Sequence, residues 1–480
     1  MSRLAHRQAS FADLELLRQG VGLDQTLQTI SDFLEQNQAL VDQVHQDLVR
    51  GLKNATTGRE GIEASRVLRS FLLRRLKDWD YRELRERIAD GFSLRQFTHF
   101  YADPVPSHRA FHRSFLRLSA QTVRALNEAV VQAAVHSGIE NAKKLRVDTT
   151  VVQTDIHHPT DSTLLWDTVR TICRLVKRVG ELVPALTQGF HNRSRRARRR
   201  MLDISRMERA ERPRQQRRKY KDLLEVTEET LAQARIVVEK SKKVRVLDLL
   251  VAEKLQSGVE EILHFSELGE RVINQTRRRV LQGETVPVGE KIFSIFEAHT
   301  DLIKRGKVVT PVEFGHKIFL AESAQGLITD YRILQGNPTD EQQLEPSLDH
   351  HHRVFGVAPE LYAADRGFYS QANLERCEKA GVKTVCVPYS GRAKTAERAA
   401  QEKTRSFKQG QRFRAGIEGR ISVLFRGRGM KRCPDEGLEH FEVFVGTAVL
   451  ANNLLRIAHH LNKRKRRSGR RSSKRTLPPT

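Results

Sequence analysis

Apolar residues recur at three- and four-residue steps through the first third of the chain, from about Leu14 to Val135. Leu27, Ile30, Phe33 and Leu34 illustrate the pattern, and proline is confined to residues 104–106. Such spacing places apolar side chains on one face of a helix. The sequence therefore predicts an all-helical N-terminal region over residues 1–140.

Two neighbouring segments of this region have clear helix boundaries. Residues 81–88 read as a helix that ends at Gly91, and a second helix begins after a Ser107 cap. The second helix carries basic residues, namely Arg109, His112, Arg113 and Arg117. The pair is compatible with a helix-turn-helix-like DNA reader or with an ordinary bundle that has a solvated basic face.

The pattern changes at residues 143–153, where β-branched residues cluster and helical spacing is lost, as in a strand. A helix capped within residues 161–163 follows. Its apolar stripe consists of Leu165, Val169, Ile172, Val176 and Val179. Helical spacing continues with interruptions to about Leu281, which predicts a helical, basic insertion over residues 165–284.

Strand patterns return in the second half of the chain. Strands are predicted at 285–288, 313–320, 326–334, 360–365 and 382–387, with a hairpin turn at 324–326. Helices are predicted after a Thr339 cap, at 371–380, at 413–425 and at 443–461. This order indicates an α/β domain with a mixed sheet flanked by helices, built from residues 141–164 and 285–462.

Charge narrows the range of partners. The 480-residue chain has 84 Lys and Arg against 58 Asp and Glu, a formal net charge of +26. Such a surface attracts polyanions, nucleic acid above all. Residues 193–221 hold 14 Lys or Arg against three acids, and residues 463–475 hold nine Lys or Arg. The first run is either a DNA-tracking surface or a solvated helix face, and we expect residues 463–480 to form a disordered basic tail.

Other classes are disfavoured by composition. No stretch of about 20 apolar residues is present and the N-terminus has no signal-peptide pattern, so we expect a soluble, intracellular protein without a membrane partner. The four cysteines are widely spaced and form no Cys-x-x-Cys pair. Neither a zinc knuckle nor a disulfide framework is therefore indicated.

Two aspartates stand where strands are expected to end. Asp148 follows the strand residues 145–147, and Asp365 follows 361–364. Because aspartate is a poor strand former, each position calls for a reason, which for a single aspartate is commonly a turn cap or an arginine partner. Phosphodiester attack needs an activated water or hydroxyl and a stabilised leaving oxygen, which two Mg²⁺ ions about 3.5–4 Å apart supply together, and Mg²⁺ prefers carboxylate oxygens.

A third carboxylate should come from a later helix, and Glu418 is the candidate. It is the one acid in the basic segment 412–425 and lies one turn beyond Arg414. The alternative is a simple i, i+4 ion pair with Arg414, which contributes a few tenths of a kcal/mol.

These residues resemble the DDE transposases of bacterial insertion sequences, in particular the group with an all-helical N-terminal domain. The matching segments are WDYRELRERI at 79–88, PVP at 104–106, FHRSFLRLS at 111–119, VDTTVVQT at 147–154, HHPTDSTLL at 157–165, NPTD at 337–340, ADRGFY at 364–369 and the Arg414-x-x-x-Glu418 spacing. In many relatives a Tyr precedes the Arg by three residues and a Lys follows the Glu by seven. Here those positions are Gln411 and Phe425.

The resemblance implies an RNase H-like catalytic domain in which Asp148, Asp365 and Glu418 bind Mg²⁺, or Mn²⁺ in its place. It implies metal-dependent cleavage at the ends of an insertion sequence and strand transfer into target DNA. Arg414 and Arg426 are expected to contact this DNA. Double-stranded DNA is the expected partner, in a homodimer or higher synaptic assembly of a cytoplasmic, nucleoid-associated bacterial protein.

Two alternatives remain. An RNase H-like nuclease without strand transfer would use the same three acids. A catalytically dead DNA-binding repressor derived from a transposase would use them only as caps and ion pairs.

Overall fold

Helices and one mixed sheet make up the part of the chain that the structure describes. This computed structural model describes residues 22–52, 61–207, 212–304 and 312–475. The strands are β1 (Lys144–Thr154), β2 (Asp301–Lys304), β3 (Val312–Ser323), β4 (Ile328–Leu334), β5 (Leu361–Ala363), β6 (Thr384–Cys386) and β7 (Arg432–Cys433). The helices before β2 are α1 (Gln25–Gln36), α2 (Ala39–Val49), α3 (Ala64–Lys77), α4 (Tyr81–Asp90), α5 (Phe92–Phe97), α6 (His108–Phe115), α7 (Ala120–His136), α8 (Asp161–Leu182), α9 (Ser194–Ser205), α10 (Arg212–Ser241) and α11 (Leu249–Thr276). Those after β4 are α12 (Leu344–Phe355), α13 (Gln371–Lys379), α14 (Ala396–Lys403), α15 (Arg405–Gly427) and α16 (Leu438–Arg475).

The chain divides into two units. The first comprises the described residues of 1–153 and 316–480, and the second those of 154–315. The N-terminal helices and most of the sheet therefore belong to one unit. The second unit contains residues 165–284, where the sequence predicts a helical insertion, and also β2 and the start of β3.

The sheet is mixed, as the sequence predicts. Its strand order is β2-β3-β1-β5-β6, while β4 also pairs with β3 and β7 with β1. β1 and β6 each run parallel to β5, whereas β2 and β4 run antiparallel to β3. The turn between β3 and β4 contains Gly326 with a φ of +82°, which glycine adopts without strain, and the predicted hairpin is confirmed.

Helix α16 is the central helix of the first unit. It packs against α1, α3, α7 and β4. Leu450, Leu454 and Ile457 share one apolar cluster with Ile30 of α1 and Val130 of α7. By length and composition residues 438–467 could cross a membrane, but 83% of the apolar window is buried inside the protein. Its apolar character is therefore explained by its place in the core.

The two predicted helix boundaries near the N-terminus are confirmed. Helix α4 ends at Asp90 and is followed by Gly91, and the Ser107 Oγ accepts the backbone N–H of Ala110 at 3.3 Å to cap α6. The two helices pack against each other. Arg109, His112 and Arg113 are exposed on α6, so both a DNA reader and a solvated basic face remain compatible with this region.

The second unit is a helical bundle formed by α8, α9, α10 and α11. The predicted apolar stripe of α8 is confirmed, since Leu165, Val169, Ile172, Val176 and Val179 are all buried in its core. The cap of α8 lies one residue before the predicted segment 161–163, because the Thr160 hydroxyl accepts the backbone N–H of Thr163 and the helix begins at Asp161. A Cβ on Gly269 of α11 would lie 2.5 Å from Thr168, so glycine permits the close approach of α8 and α11.

Three local predictions differ from the structure. Residues 285–288 form no strand, because Pro287 offers no N–H to a ladder and a 3-10 helix follows at Val288–Glu290. Thr339 does not cap a helix, since α12 starts at Leu344 after a 3-10 turn. The basic segment predicted to be disordered from residue 463 begins as a continuation of α16. There Arg464 donates to the carbonyl of Ser137 at 2.8 Å.

Candidate active site

The parallel pairing of β1 with β5 brings two aspartates to the same level. Lys144 pairs with Leu361 and Arg146 with Ala363, and two further residues along the same register bring Asp148 level with Asp365. Asp148 lies in the middle of β1 and not at a strand end as the sequence predicts, because the β-branched residues after it continue the strand to Thr154. Asp365 lies just beyond β5 and caps the next 3-10 turn, accepting the N–H of Gly367 at 2.8 Å.

Helix α15 supplies the third acid and is fixed to the sheet by a buried ion network. The Arg146 guanidinium donates to Glu322 at 2.8 Å and to the carbonyl of Phe413 at 2.7 Å. Arg420 donates to the other oxygen of Glu322 at 2.8 Å. The Glu322 side chain is fully buried, so its charge is neutralised only by these groups and not by water.

Glycine makes room for this network on α15. A Cβ on Gly416 would lie 2.0 Å from a guanidinium nitrogen of Arg146. Any larger residue would therefore push Arg146 away from Glu322 or lift the helix. The position of Arg414 and Glu418 over the sheet thus depends on the small residue between them.

Arg414 contacts all three predicted carboxylates. Its guanidinium lies 3.0 Å from Asp148, 3.7 Å from Asp365 and 2.8 Å from Glu418. The side chains range from nearly buried to open: 13% of Asp148, 36% of Asp365 and 66% of Glu418 is exposed. The structure therefore brings Asp148, Asp365, Arg414 and Glu418 together, with the cation between the acids.

The surroundings raise the pKa of Asp148. Burial raises its pKa to about 6, and the negative charges of Asp365 and Asp340 act in the same direction. Arg414 and the backbone N–H of Thr149 lower the pKa and only partly offset the burial. One arginine among three acids leaves an excess of negative charge. Such an excess favours the binding of a divalent cation.

A fourth carboxylate, Asp340, lies at the same site. It accepts a hydrogen bond from the Thr149 hydroxyl at 2.8 Å and pairs with Lys317 at 2.9 Å. A Cβ on Gly367 would be 3.0 Å from oxygens of both Asp340 and Asp365, so the two acids flank one point. Asp340 belongs to the NPTD segment that resembles the family. The sequence alone assigned it no role, because its neighbours in the fold come from β1 and β3.

The remaining predicted site residue, Arg426, is exposed near the end of α15. The two positions at which the chain departs from the family pattern have other tasks. Gln411 donates to the carbonyls of Ala364 and Cys386 at 3.2 and 2.6 Å, joining the ends of β5 and β6. Phe425 packs against an apolar cluster of the first unit.

Oxygen donors fit a magnesium or manganese site, since these ions prefer carboxylates and water. Within the described ranges, however, no group of three or more His, Cys, Asp or Glu side chains is arranged to hold a metal ion. The acids converge on Arg414, whose Nε is buried without a hydrogen-bond partner. The oxygen donors therefore fit a divalent ion. In this structure the guanidinium of Arg414 is the positive group that lies among the acids.

Comparison with known families identifies two parts of the chain. Residues 302–454 match the family described as transposase DDE domain, and residues 22–117 match the transposase domain DUF772. No curated protein and no solved structure matches the chain significantly. The first match contains Asp365, Arg414 and Glu418 and implies an RNase H-like fold. The mixed sheet agrees with this fold. Asp148 lies outside both matches and joins the site through the β1–β5 pairing.

Proposed function

We propose, on the premise that this chain belongs to the insertion-sequence DDE transposases, that it cuts DNA at the ends of its element and joins those ends to target DNA. The contact of Arg414 with Asp148, Asp365 and Glu418 is the observation that supports this most strongly. It assembles residues from β1, the β5 end and α15 into one negatively charged site.

We assign Asp148, Asp365 and Glu418 as the ligands of Mg²⁺, which Mn²⁺ can replace. When bound, such ions activate the attacking oxygen and stabilise the leaving oxygen of a phosphodiester. The chain's own contribution is to hold the acids through the β1–β5 register and the Arg146–Glu322–Arg420 network. Arg414 balances the charge of the acids while no other cation is present. Once another cation takes over that role, Arg414 is available to a DNA phosphate.

Sequence recognition is assigned to the helical region of residues 1–140, with the exposed basic face of α6 as the candidate reader. Arg426 is assigned a phosphate contact near the site. The RNase H-like domain comprises residues 141–164 and 285–462, interrupted by the insertion 165–284 and followed by a basic tail from 463. We further propose that two or more copies bring the element ends together, and that the protein works in the cytoplasm at the nucleoid.

Cleavage and joining of a labelled duplex carrying the element's own ends test this function. We expect the wild type to cut and join with Mg²⁺, whereas Asp148→Ala, Asp365→Ala and Glu418→Ala bind the duplex but do neither. Asp349→Ala is the matched control, since Asp349 is an exposed acid paired with Arg376 on another helix. It should keep full activity.

The other outcomes separate the alternatives. Cutting without joining by the wild type would favour a nuclease. Binding without cutting in either metal would favour a DNA-binding repressor. Joining by any of the three acid variants would remove that acid from the site.

A further inference from the structure

Helix α9 is the most basic helix of the second unit, but only part of its charge is neutralised within the protein. Arg196 and Arg200 both donate to Asp222 of α10, the first at 2.5 Å. Asp203, the one acid in α9, is shared between Arg200 at 3.4 Å and Lys219 at 3.9 Å. These contacts fix α9 to α10.

The other arginines of this segment form a different set. Arg195, Arg198, Arg199 and Arg206 are exposed, and within the residues that the structure describes none of their side chains has an ion pair or hydrogen bond. We call these four residues the arginine stripe. At about 100° per residue, Arg195, Arg199 and Arg206 lie opposite the buried Ala197 and Ile204, and Arg198 lies at the stripe's edge.

We propose that the arginine stripe of α9 binds the phosphate backbone of duplex DNA. This inference rests on the proposed function and adds to it a DNA contact surface in the second unit. A stripe from Arg195 to Arg206 is about 17 Å long at a rise of about 1.5 Å per residue. One DNA strand presents a phosphate about every 3.4 Å along its axis, so several phosphates lie within that length.

Charge pattern favours a phosphate backbone over an acidic protein. Arg195 and Arg199 are one helical turn apart and repel each other, and Asp203, the one acid in α9, already pairs with Arg200 and Lys219. A regular row of phosphates relieves this repulsion along the whole stripe, and guanidinium groups bind phosphate oxygens in pairs. The contact carries no sequence information, because backbone contacts position a protein without reading bases.

The test compares two double variants that differ by one residue in position. Arg195→Gln with Arg199→Gln removes two charges from the stripe. Arg196→Gln with Arg200→Gln removes the same number of charges one residue further along, from side chains that already pair with Asp222. Full-length protein is titrated by fluorescence anisotropy into the element-end duplex and a scrambled duplex at several salt concentrations, with circular dichroism to verify folding.

We expect the stripe variant to bind both duplexes about a hundredfold more weakly near 0.1 M salt, with a salt slope lower by about two. The control should keep the wild-type slope, and Arg195→Lys with Arg199→Lys should restore it. Equal losses in both double variants, or no loss in either, would overturn the proposal. A loss confined to the element-end duplex would also overturn it, because the helix would then read bases.

Failure of the wider function gives a different result. If the wild type binds with the expected salt slope but never cuts, the stripe stands and the transposase chemistry fails. If the wild type cuts and joins while the stripe variant binds normally, only the stripe fails. Absence of any duplex binding by the wild type would end both.

Discussion

Two clusters of arginines and acids share neighbouring residues of β1 and α15. One has more arginines than acids, and the other has more acids than arginines. In the first, Arg146 and Arg420 share the single acid Glu322, whose side chain is fully buried. In the second, the single Arg414 meets Asp148, Asp365 and Glu418, of which Glu418 is largely exposed. We call them the Glu322 cluster and the Arg414 cluster.

The comparison shows how one type of ion pair serves two purposes. The Glu322 cluster buries its acid completely and holds α15 on the sheet. The Arg414 cluster has more acid than its cation can neutralise, and it is open on the side of Glu418. A deficit of positive charge at an accessible point is what a cation site requires, whereas a structural contact requires that a buried charge has partners within the protein.

The largest effect is expected from a substitution that breaks the Glu322 cluster. Glu322→Gln leaves two guanidinium groups near each other without their buried acid, and we expect it to lower the free energy of unfolding by about 3–5 kcal/mol. Urea unfolding measures this loss. Glu345→Gln, an exposed acid on α12, is the control and should change stability by less than about 0.5 kcal/mol. An unchanged midpoint for Glu322→Gln would mean that the cluster does not hold α15.

The opposite sign is expected in the Arg414 cluster. Since the pKa of Asp148 is raised to about 6 from an ordinary value of 3.8, its ionisation opposes folding above that range. Below pH 3.8 the carboxyl is protonated in both states and contributes nothing; the cost grows between 3.8 and 6 and is complete above 6.

Asp148→Asn should therefore stabilise the metal-free protein at pH 8 by up to about 3 kcal/mol, and the gain should vanish near pH 4. Urea unfolding with a chelator at both pH values measures it. A loss of stability at pH 8 would show that Arg414 fully compensates the buried charge, contrary to our account.

A smaller effect separates two glycine positions of α15. Gly416→Ala would bring a Cβ against the Arg146 guanidinium, and we expect a loss of about 1–3 kcal/mol. Gly419 lies on the same helix with nothing within 4 Å of an added Cβ. Gly419→Ala should instead stabilise by about 0.5–1 kcal/mol, since alanine is the better helix former. Thermal unfolding of the two variants measures these changes. Equal shifts of the two melting temperatures would contradict the account.

The sequence predicted much of this arrangement because its signals are local. Apolar spacing predicted the N-terminal helices and the α8 stripe, and β-branched runs predicted β1 and β3. The i, i+4 spacing paired Arg414 with Glu418. Asp148 and Asp365 were grouped by their expected positions at strand ends and by the family resemblance, and the parallel register gives this grouping a geometric basis.

What the sequence missed depends on distant partners. The role of Asp340 arises from Thr149 on β1 and Lys317 on β3, which are far away in the chain. Gln411 and Phe425 read as departures from a family pattern, whereas in the fold they support strand ends and an apolar cluster. The place of Asp148 was also missed: the sequence set it at a strand end, whereas β1 continues past it to Thr154, and the N–H of Gln153 donates to the carbonyl of Lys431 next to β7.

The central claim is that the three acids bind divalent cations in competition with Arg414. Mn²⁺ binding to the DNA-free full-length protein, followed by electron paramagnetic resonance, tests it directly. Asp148→Asn should bind Mn²⁺ at least about tenfold more weakly, because one ligand is lost, and Arg414→Gln about tenfold more tightly, because the competing guanidinium is gone. Equal affinity in the wild type and both variants would place the cation elsewhere and contradict the account.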